Sequence, residues 1–206
     1  MNRIILMLAV SACLALAQDG SAIRLKLVKN APFSAQAQTE SIQTLPDGNR
    51  VTHTSSATIA RDSEGRTRRE QVSGGVVFIY DPVLGAAYVL DARTHSARRF
   101  ALPATGTDNP ALKGESLGTS IIATLSAEGT SLTRVISAGE SGNDQPIEIK
   151  SEAWYSRDLQ IVISSRTVDP RTGESTYKLT SVKQAEPDHS LFDIPADYTL
   201  QDSANK

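Results

Sequence analysis

The sequence predicts a mainly β protein: a single antiparallel meander sheet curled into a half-barrel, with one or two short helical turns. Three observations carry that expectation. Runs rich in Val, Ile, Thr and Ser alternate with Gly, Pro, Asp and Asn turn signals along the whole chain after residue 31. The connections are too short to join anything but antiparallel neighbours. No long stretch of helical period follows residue 17.

Residues 33–45 read as the first strand, and Pro46-Asp47-Gly48-Asn49 as a hairpin turn into a return strand at 50–61. Asp62-Ser63-Glu64-Gly65 turns the chain into 66–73. Strands at 76–80, 86–90 and 95–100 follow, separated by Asp81-Pro82-Val83-Leu84-Gly85 and Asp91-Ala92-Arg93-Thr94. Further strands are expected at 119–127, 132–136, 147–155, 159–167 and 175–184. Asn109-Pro110-Ala111-Leu112-Lys113 offers an N-cap and a first-position proline for one helical turn, and residues 187–192 offer another. Residues 1–17 are a leader, 18–31 an N-terminal arm, 32–200 the single β-rich domain and 201–206 a frayed tail.

One turn design recurs at Asp62, Asp81 and Asp169, each followed three or four residues on by Gly65, Gly85 or Gly173. The aspartate carboxylate accepts backbone N–H groups inside the turn, and the glycine takes the left-handed conformation that closes it. Gly48 is expected to do the same. None of these turns has the alternating carboxylates of a calcium loop.

The leader is the clearest address signal. Arg3 precedes an apolar run from Ile4 to Leu16 broken only by Ser11, and Ala15 and Ala17 supply the small residues of a signal-peptidase site. Gln18 is then the first mature residue, and the protein is periplasmic or extracellular. The alternative is a lipid anchor through Cys13, since Val10-Ser11-Ala12-Cys13 resembles a lipoprotein box. Cys13 is the single cysteine, so cleavage after Ala17 leaves no disulfide, thiol nucleophile or thiolate metal site. A net charge of −2 gives no electrostatic case for nucleic acid. No apolar run beyond the leader reaches the roughly 18 residues of a membrane span.

Catalytic and metal motifs are thin. Gly114-Glu115-Ser116-Leu117-Gly118 matches G-x-S-x-G, and Asp169 and His189 follow in hydrolase order. But a strand pattern, not a helix, follows the serine. The histidines His53, His95 and His189 lack a second ligand at metal spacing. His53 shares parity with Ala57 and Ile59 and is expected to face inward. Glu148 and Glu152 share a strand face with Lys150, as on a charged outer surface. The pairs Arg68-Arg69 and Arg98-Arg99 read as a solvated edge. No enzyme, metal or cofactor is expected.

Two features point to binding. Ala35, Ala37, Ser55 and Ala57 are small where a packed sheet calls for large residues. The room they leave is either filled by residues such as Ile59, Phe78 and Ile121, or forms an apolar cavity under a lid at 101–118 that contributes Leu102, Leu112 and Leu117. Trp154 has the parity of Glu148, Lys150 and Glu152, which marks it as a surface-interaction residue or a strand covered on its second face.

The second half resembles a known superfamily. Trp154-Tyr155-Ser156-Arg157-Asp158 leads to a strand, Asp169-Pro170-Arg171-Thr172-Gly173 turns it, and Leu191-Phe192-x-Ile194-Pro195-x-Asp197-Tyr198 closes it. This is similar to the C-terminal half of periplasmic lipoprotein-carrier (LolA-like) and sigma-factor-regulator (RseB-like) domains, and to uncharacterised exported proteins of Acidobacteria. The resemblance covers residues 147–200. It implies an open β half-barrel with short helices across its concave face, sometimes holding lipid acyl chains, with lipid, lipoprotein or another envelope protein as partner. The function that follows is an exported, non-catalytic binding module carrying an apolar or lipid ligand. The alternative is an envelope protein-interaction or sensing domain without a small-molecule ligand.

Overall fold

The computed structural model describes residues 27–102 and 114–202. These form one open sheet of twelve strands. The first six are β1 (Phe33–Thr44), β2 (Arg50–Arg61), β3 (Thr67–Gln71), β4 (Val76–Asp81), β5 (Ala86–Asp91) and β6 (Ser96–Ala101). The others are β7 (Glu115–Ile122), β8 (Leu125–Ile136), β9 (Ile147–Ser156), β10 (Ile161–Asp169), β11 (Gly173–Lys183) and β12 (Thr199–Asp202). The described residues hold one short helical turn, a 3-10 turn at His189–Phe192.

The spatial order is β12-β6-β5-β4-β3-β2-β1-β11-β10-β9-β8-β7. Two meanders meet at β1 and β11. One runs outward from β1 to β6, and the other runs inward from the edge strand β7 to β11. Every pair is antiparallel except β12 with β6.

Two expectations about the strands need correction. Residues 119–127 are not one strand: the chain reverses at Ala123 and Thr124, and Ile122 pairs with Leu125. Both turn residues have positive φ, +49° and +70°, as a two-residue type I′ hairpin demands. Gln201 and Asp202, expected in a frayed tail, belong to β12 and pair with Arg98 and Arg99. The hairpin glycines behave as the turn chemistry requires. Gly48, Gly65, Gly85 and Gly173 all have positive φ. Asp81 accepts from the N–H of Val83 and Leu84 at 2.9 Å, and Asp169 from that of Arg171 at 2.9 Å.

The sheet curls about the face that carries Phe33, Ala35 and Ala37. Arg61 on β2 donates to the carbonyl of Leu159 in the β9–β10 turn at 2.5 Å, across strands that are not neighbours in the sheet. On this concave face Ala57 of β2 shares a core with Leu125 of β8, Leu159, Ile163, Tyr177 and Leu179. A second core lies on the convex face at the other end. There Val77, Ile79, Ala86, Tyr88, Leu90 and Ala97 are covered by Ile194 and Tyr198 of the C-terminal segment.

Candidate functional site

The concave face is filled at one end. Ala35, Ala37 and Ala57 are 4, 1 and 2 % exposed, and the cluster that includes Tyr177 and Leu179 occupies the space beside them. Ile59 packs against that cluster, whereas Phe78 and Ile121 stay exposed at 39 and 70 %. Ser55 is exposed, and so is His53 two residues back. His53 shares the face of Ala57 and Ile59, as its parity predicts, but it is exposed and not buried, because the cover ends at Ala57 and His53 pairs with Ser41 beyond it. Leu102 is half-buried and its N–H bonds Gly85 O at 3.0 Å. Leu117 is an exposed residue of β7, set where the register with β8 shifts. Leu112 and the Asn109-Pro110 start of a helical turn lie outside the described residues.

The open part of the concave face lies at β3–β6. Residues directly opposite in an antiparallel ladder share a face. Ile59, Arg69, Phe78, Val89 and Arg98 therefore form one row across five strands, and Arg61, Thr67, Tyr80, Ala87 and Phe100 form the next. The result is an apolar strip of Phe78, Tyr80, Ala87, Val89 and Phe100, with Phe100 37 % exposed, and with Arg69 and Arg98 flanking Phe78 and Val89 in the first row. Arg69 Nε is buried and has no hydrogen-bond partner among the described residues. The Arg68-Arg69 pair thus straddles the sheet. Arg68 turns to the convex side to meet Glu70 and Leu191 O, while Arg69 faces the strip.

A buried polar frame joins the two faces at the β2–β3 turn. Arg61, 3 % exposed, donates to Ala31 O and Leu159 O and lies 5.0 Å over the Phe33 ring. Asp62, 1 % exposed, receives the backbone N–H of Arg66 at 2.8 Å and its Nε at 2.5 Å. Arg66 in turn lies 5.1 Å over Phe192. Desolvated charges of this kind persist only with partners of their own: Asp62 and Arg66 answer each other, and Arg61 donates to two carbonyls. Beside the frame, on the convex side, a cleft of about 420 Å³ is lined by Glu64, Asp81, Asp193, Val83, Leu84 and Ile194 among others.

A smaller cleft of about 230 Å³ lies on β9–β11. Trp154 stands opposite Ser164, and Ser164 opposite Lys178; one step along, Glu152, Arg166 and Thr176 form a parallel row. These six side chains share the face opposite Leu179. Trp154 is half-buried. It packs against the edge of the core cluster and over Gly129 of β8, and still lines the cleft.

The hydrolase-order residues are not joined by any hydrogen bond among the described residues. Ser116 sits on the edge strand β7 and accepts from Gly118 N at 3.2 Å. Asp169 is bound by Arg171, at 2.7 Å for Oδ2 to Nη2, which holds its carboxyl below the ordinary value. His189 lies in the 3-10 turn. His95 stacks on Tyr198 with centroids 5.3 Å apart and meets Asp197 at 2.9 Å, tying the C-terminal segment to the β5–β6 turn. Among the described residues no cluster of His, Cys, Asp and Glu suits a metal, and no helix is long and apolar enough to cross a membrane.

No family model and no curated protein matches the chain in sequence. Solved structures match it in shape. A chain of the Pseudomonas aeruginosa MucA/MucB complex superposes with a TM-score of 0.53 at 15 % identity, over 85 % of this chain and 60 % of that one. An uncharacterised conserved protein of Thermus thermophilus gives 0.51 at 9 % identity, over 84 and 91 %. The fold is LolA/RseB-like. A LolA-superfamily protein of Nitrosomonas europaea also matches, over 83 % of this chain and 92 % of that one, at 12 % identity and a TM-score of 0.38. This chain spans less than two thirds of the MucA/MucB-complex chain. In this LolA/RseB-like sheet, Trp154 of the resemblance lines the β9–β11 cleft, and the turn and closing residues are structural. Asp169 and Gly173 turn β10 into β11, and Phe192, Ile194 and Tyr198 cover the convex face.

Proposed function

We propose that the chain is an exported, non-catalytic binding module of the cell envelope that holds the apolar chain of a lipid against the β3–β6 half of its concave face. The observation that carries this reading is the strip of Phe78 and Phe100, 39 and 37 % exposed, with the half-buried Val89 in the same rows, beside a filled core on the same face. Uncovered aromatic and aliphatic surface in a concavity is what an acyl chain removes from water. The arginines of the row favour an amphiphile over a plain hydrocarbon. Arg69 has a buried donor without an acceptor and Arg98 is exposed, so an ester or carboxylate at the end of the chain satisfies charge and hydrogen bond together. Ala35, Ala37, Ser55 and Ala57 on β1 and β2 and Leu102 after β6 border this half, Leu117 lies on β7 at the far edge of the sheet, and all six are assigned no direct ligand contact. The leader supplies the address, with Gln18 as the mature N-terminus.

The test uses the purified exported protein and a fluorescent fatty acid. The wild type is expected to take it up saturably, and Phe78→Asp to weaken uptake by at least tenfold with the circular dichroism of the sheet unchanged. Native mass spectrometry of protein taken from the periplasm is expected to show a co-purifying lipid. Failure of the wild type to take up the fatty acid ends the lipid reading.

A second reading has its own observation. Val83 and Leu84 are 58 and 64 % exposed on the β4–β5 turn, beside the convex cleft whose rim carries Glu64 and Asp193. That surface suits an envelope protein partner presenting apolar and basic side chains. Stoichiometric recovery of one envelope protein, lost in Leu84→Asp and kept in Phe78→Asp, favours this role.

A further inference from the structure

We propose that the β9–β11 cleft is a saccharide site, in which one pyranose ring of a neutral, gluco-configured oligosaccharide stacks on the indole of Trp154. This site is separate from the apolar strip and does not depend on it.

The indole rests against the backbone of β8. Gly129 faces Trp154 across β8–β9, and a Cβ there would meet ring atoms Cζ3 and Cη2 at 2.8 and 2.9 Å. With no side chain at 129, the six-membered ring settles onto β8 next to Leu117, and Trp154 lines the cleft. A rigid aromatic plane at the wall of a polar depression is an unusual pairing. An apolar ligand has no use for the rest of the lining, and a simple ion has no use for the indole. A sugar ring uses both. In a gluco-configured pyranose the hydroxyls are equatorial and the C–H bonds axial, so each face is apolar and the rim is a ring of donors and acceptors. Polarised C–H bonds sit on the negative face of the aromatic quadrupole.

The rim groups are in place. Ser164 and Lys178 continue the row of Trp154, and Glu152, Arg166 and Thr176 form the row beside it. Together they offer a carboxylate acceptor, an ammonium, a guanidinium edge and two hydroxyls, a mixture that matches hydroxyls able to donate and accept. Charge decides against an anion. Arg166 is gripped by Glu174 through two bonds, Nε to Oε1 at 2.7 Å and Nη2 to Oε2 at 2.9 Å, so its charge is already answered. Glu152 offsets Lys178 within the same cleft. Size decides for one ring: about 230 Å³ lies below the ~300–1,000 Å³ of pockets for drug-sized ligands.

The experiment is direct because Trp154 is the single tryptophan of the chain, so intrinsic emission reports on this site alone. The full chain is titrated with cellotetraose, maltotetraose and chitotetraose, and with inorganic phosphate as the ionic control. A saturable emission change with at least one tetrasaccharide is expected, and none with phosphate. Lys178→Ala and Glu152→Ala are each expected to weaken that binding about fivefold, the cost of one hydrogen bond, with an unchanged melting transition. Trp154→Ala, followed by calorimetry, is expected to abolish it. If Trp154→Ala does not fold, the two rim variants decide, since their side chains are not part of the core. The proposal is overturned by no response to any of the three sugars, by saturable binding of phosphate, or by sugar binding that neither rim variant weakens.

Discussion

Gly129 on β8 and Trp154 on β9 are direct cross-strand partners, and the indole occupies the space that a side chain at 129 would need. Any larger residue at 129 must push the ring outward or spread the strands. Gly129→Val is expected to destabilise the protein by about 1–3 kcal/mol, the usual cost of overpacking. It is also expected to shift the tryptophan emission to the red as the ring moves into water. Urea unfolding followed by fluorescence checks both. An unshifted emission maximum would mean that the ring does not rest on the backbone at 129.

Arg61 closes the concave end of the sheet. Its guanidinium binds Ala31 O at 2.6 and 3.0 Å and Leu159 O at 2.5 Å, within a site 3 % exposed. Arg61→Met keeps much of the apolar stem and strips the donors from both carbonyls. Leaving buried acceptors unpaired is expected to cost at least ~2 kcal/mol, read as a lower urea midpoint with an unchanged slope. An unchanged midpoint would show that water replaces the guanidinium at no cost.

Two turn glycines separate backbone strain from crowding. Gly48 has φ +82° with open space around it, whereas Gly173 has φ +94° and its missing Cβ would collide with Ile42 O. Gly48→Ala carries the left-handed penalty alone, about 1 kcal/mol. Gly173→Ala adds a clash with backbone that cannot swing away, so its melting temperature is expected to fall further. Equal losses in the two variants would place the Gly173 turn away from β1.

The sequence made the hairpins legible because their turns announce themselves. The Asp and Gly residues of the 46–49, 62–65, 81–85 and 169–173 turns fix both the bend and the register, and β2 falls on the expected residues 50–61. The β7–β8 hairpin was hidden for the opposite reason. Its turn residues are Ala123 and Thr124, and a β-branched residue at positive φ gives no turn signal. Strand β12 was hidden because a four-residue polar segment has no periodicity of its own and is held only by β6. The binding surfaces were less legible than the strands. Counting small residues located Ala35, Ala37 and Ala57, but whether the space beside them is open depends on Leu125 and Leu159, far away in sequence. The row that joins Phe78, Val89 and Arg98 exists only once the registers of β4, β5 and β6 are known.

The β10–β11 turn should make part of the stability depend on pH. Asp169 is 8 % exposed, and the Arg171 guanidinium holds its carboxyl below the ordinary carboxylate value, with help from the Arg171 backbone N–H. In the unfolded chain that carboxyl returns to about 3.9. A carboxyl depressed in the folded state binds its proton less readily there than when unfolded. Its contribution is therefore complete well above pH 4 and drains away as the pH falls through the folded-state value. Asp169→Asn keeps an oxygen that can accept the Arg171 N–H and removes only the charge. The variant is thus expected to be less stable than wild type at pH 7, with the gap narrowing steadily below pH 4. Urea midpoints of both proteins at pH 7 and pH 3 measure it. Because Arg171 is 42 % exposed, added salt is expected to shrink the gap at pH 7 as well. A gap that is the same at both pH values would mean that Asp169 acts through the shape of the turn and not through its charge.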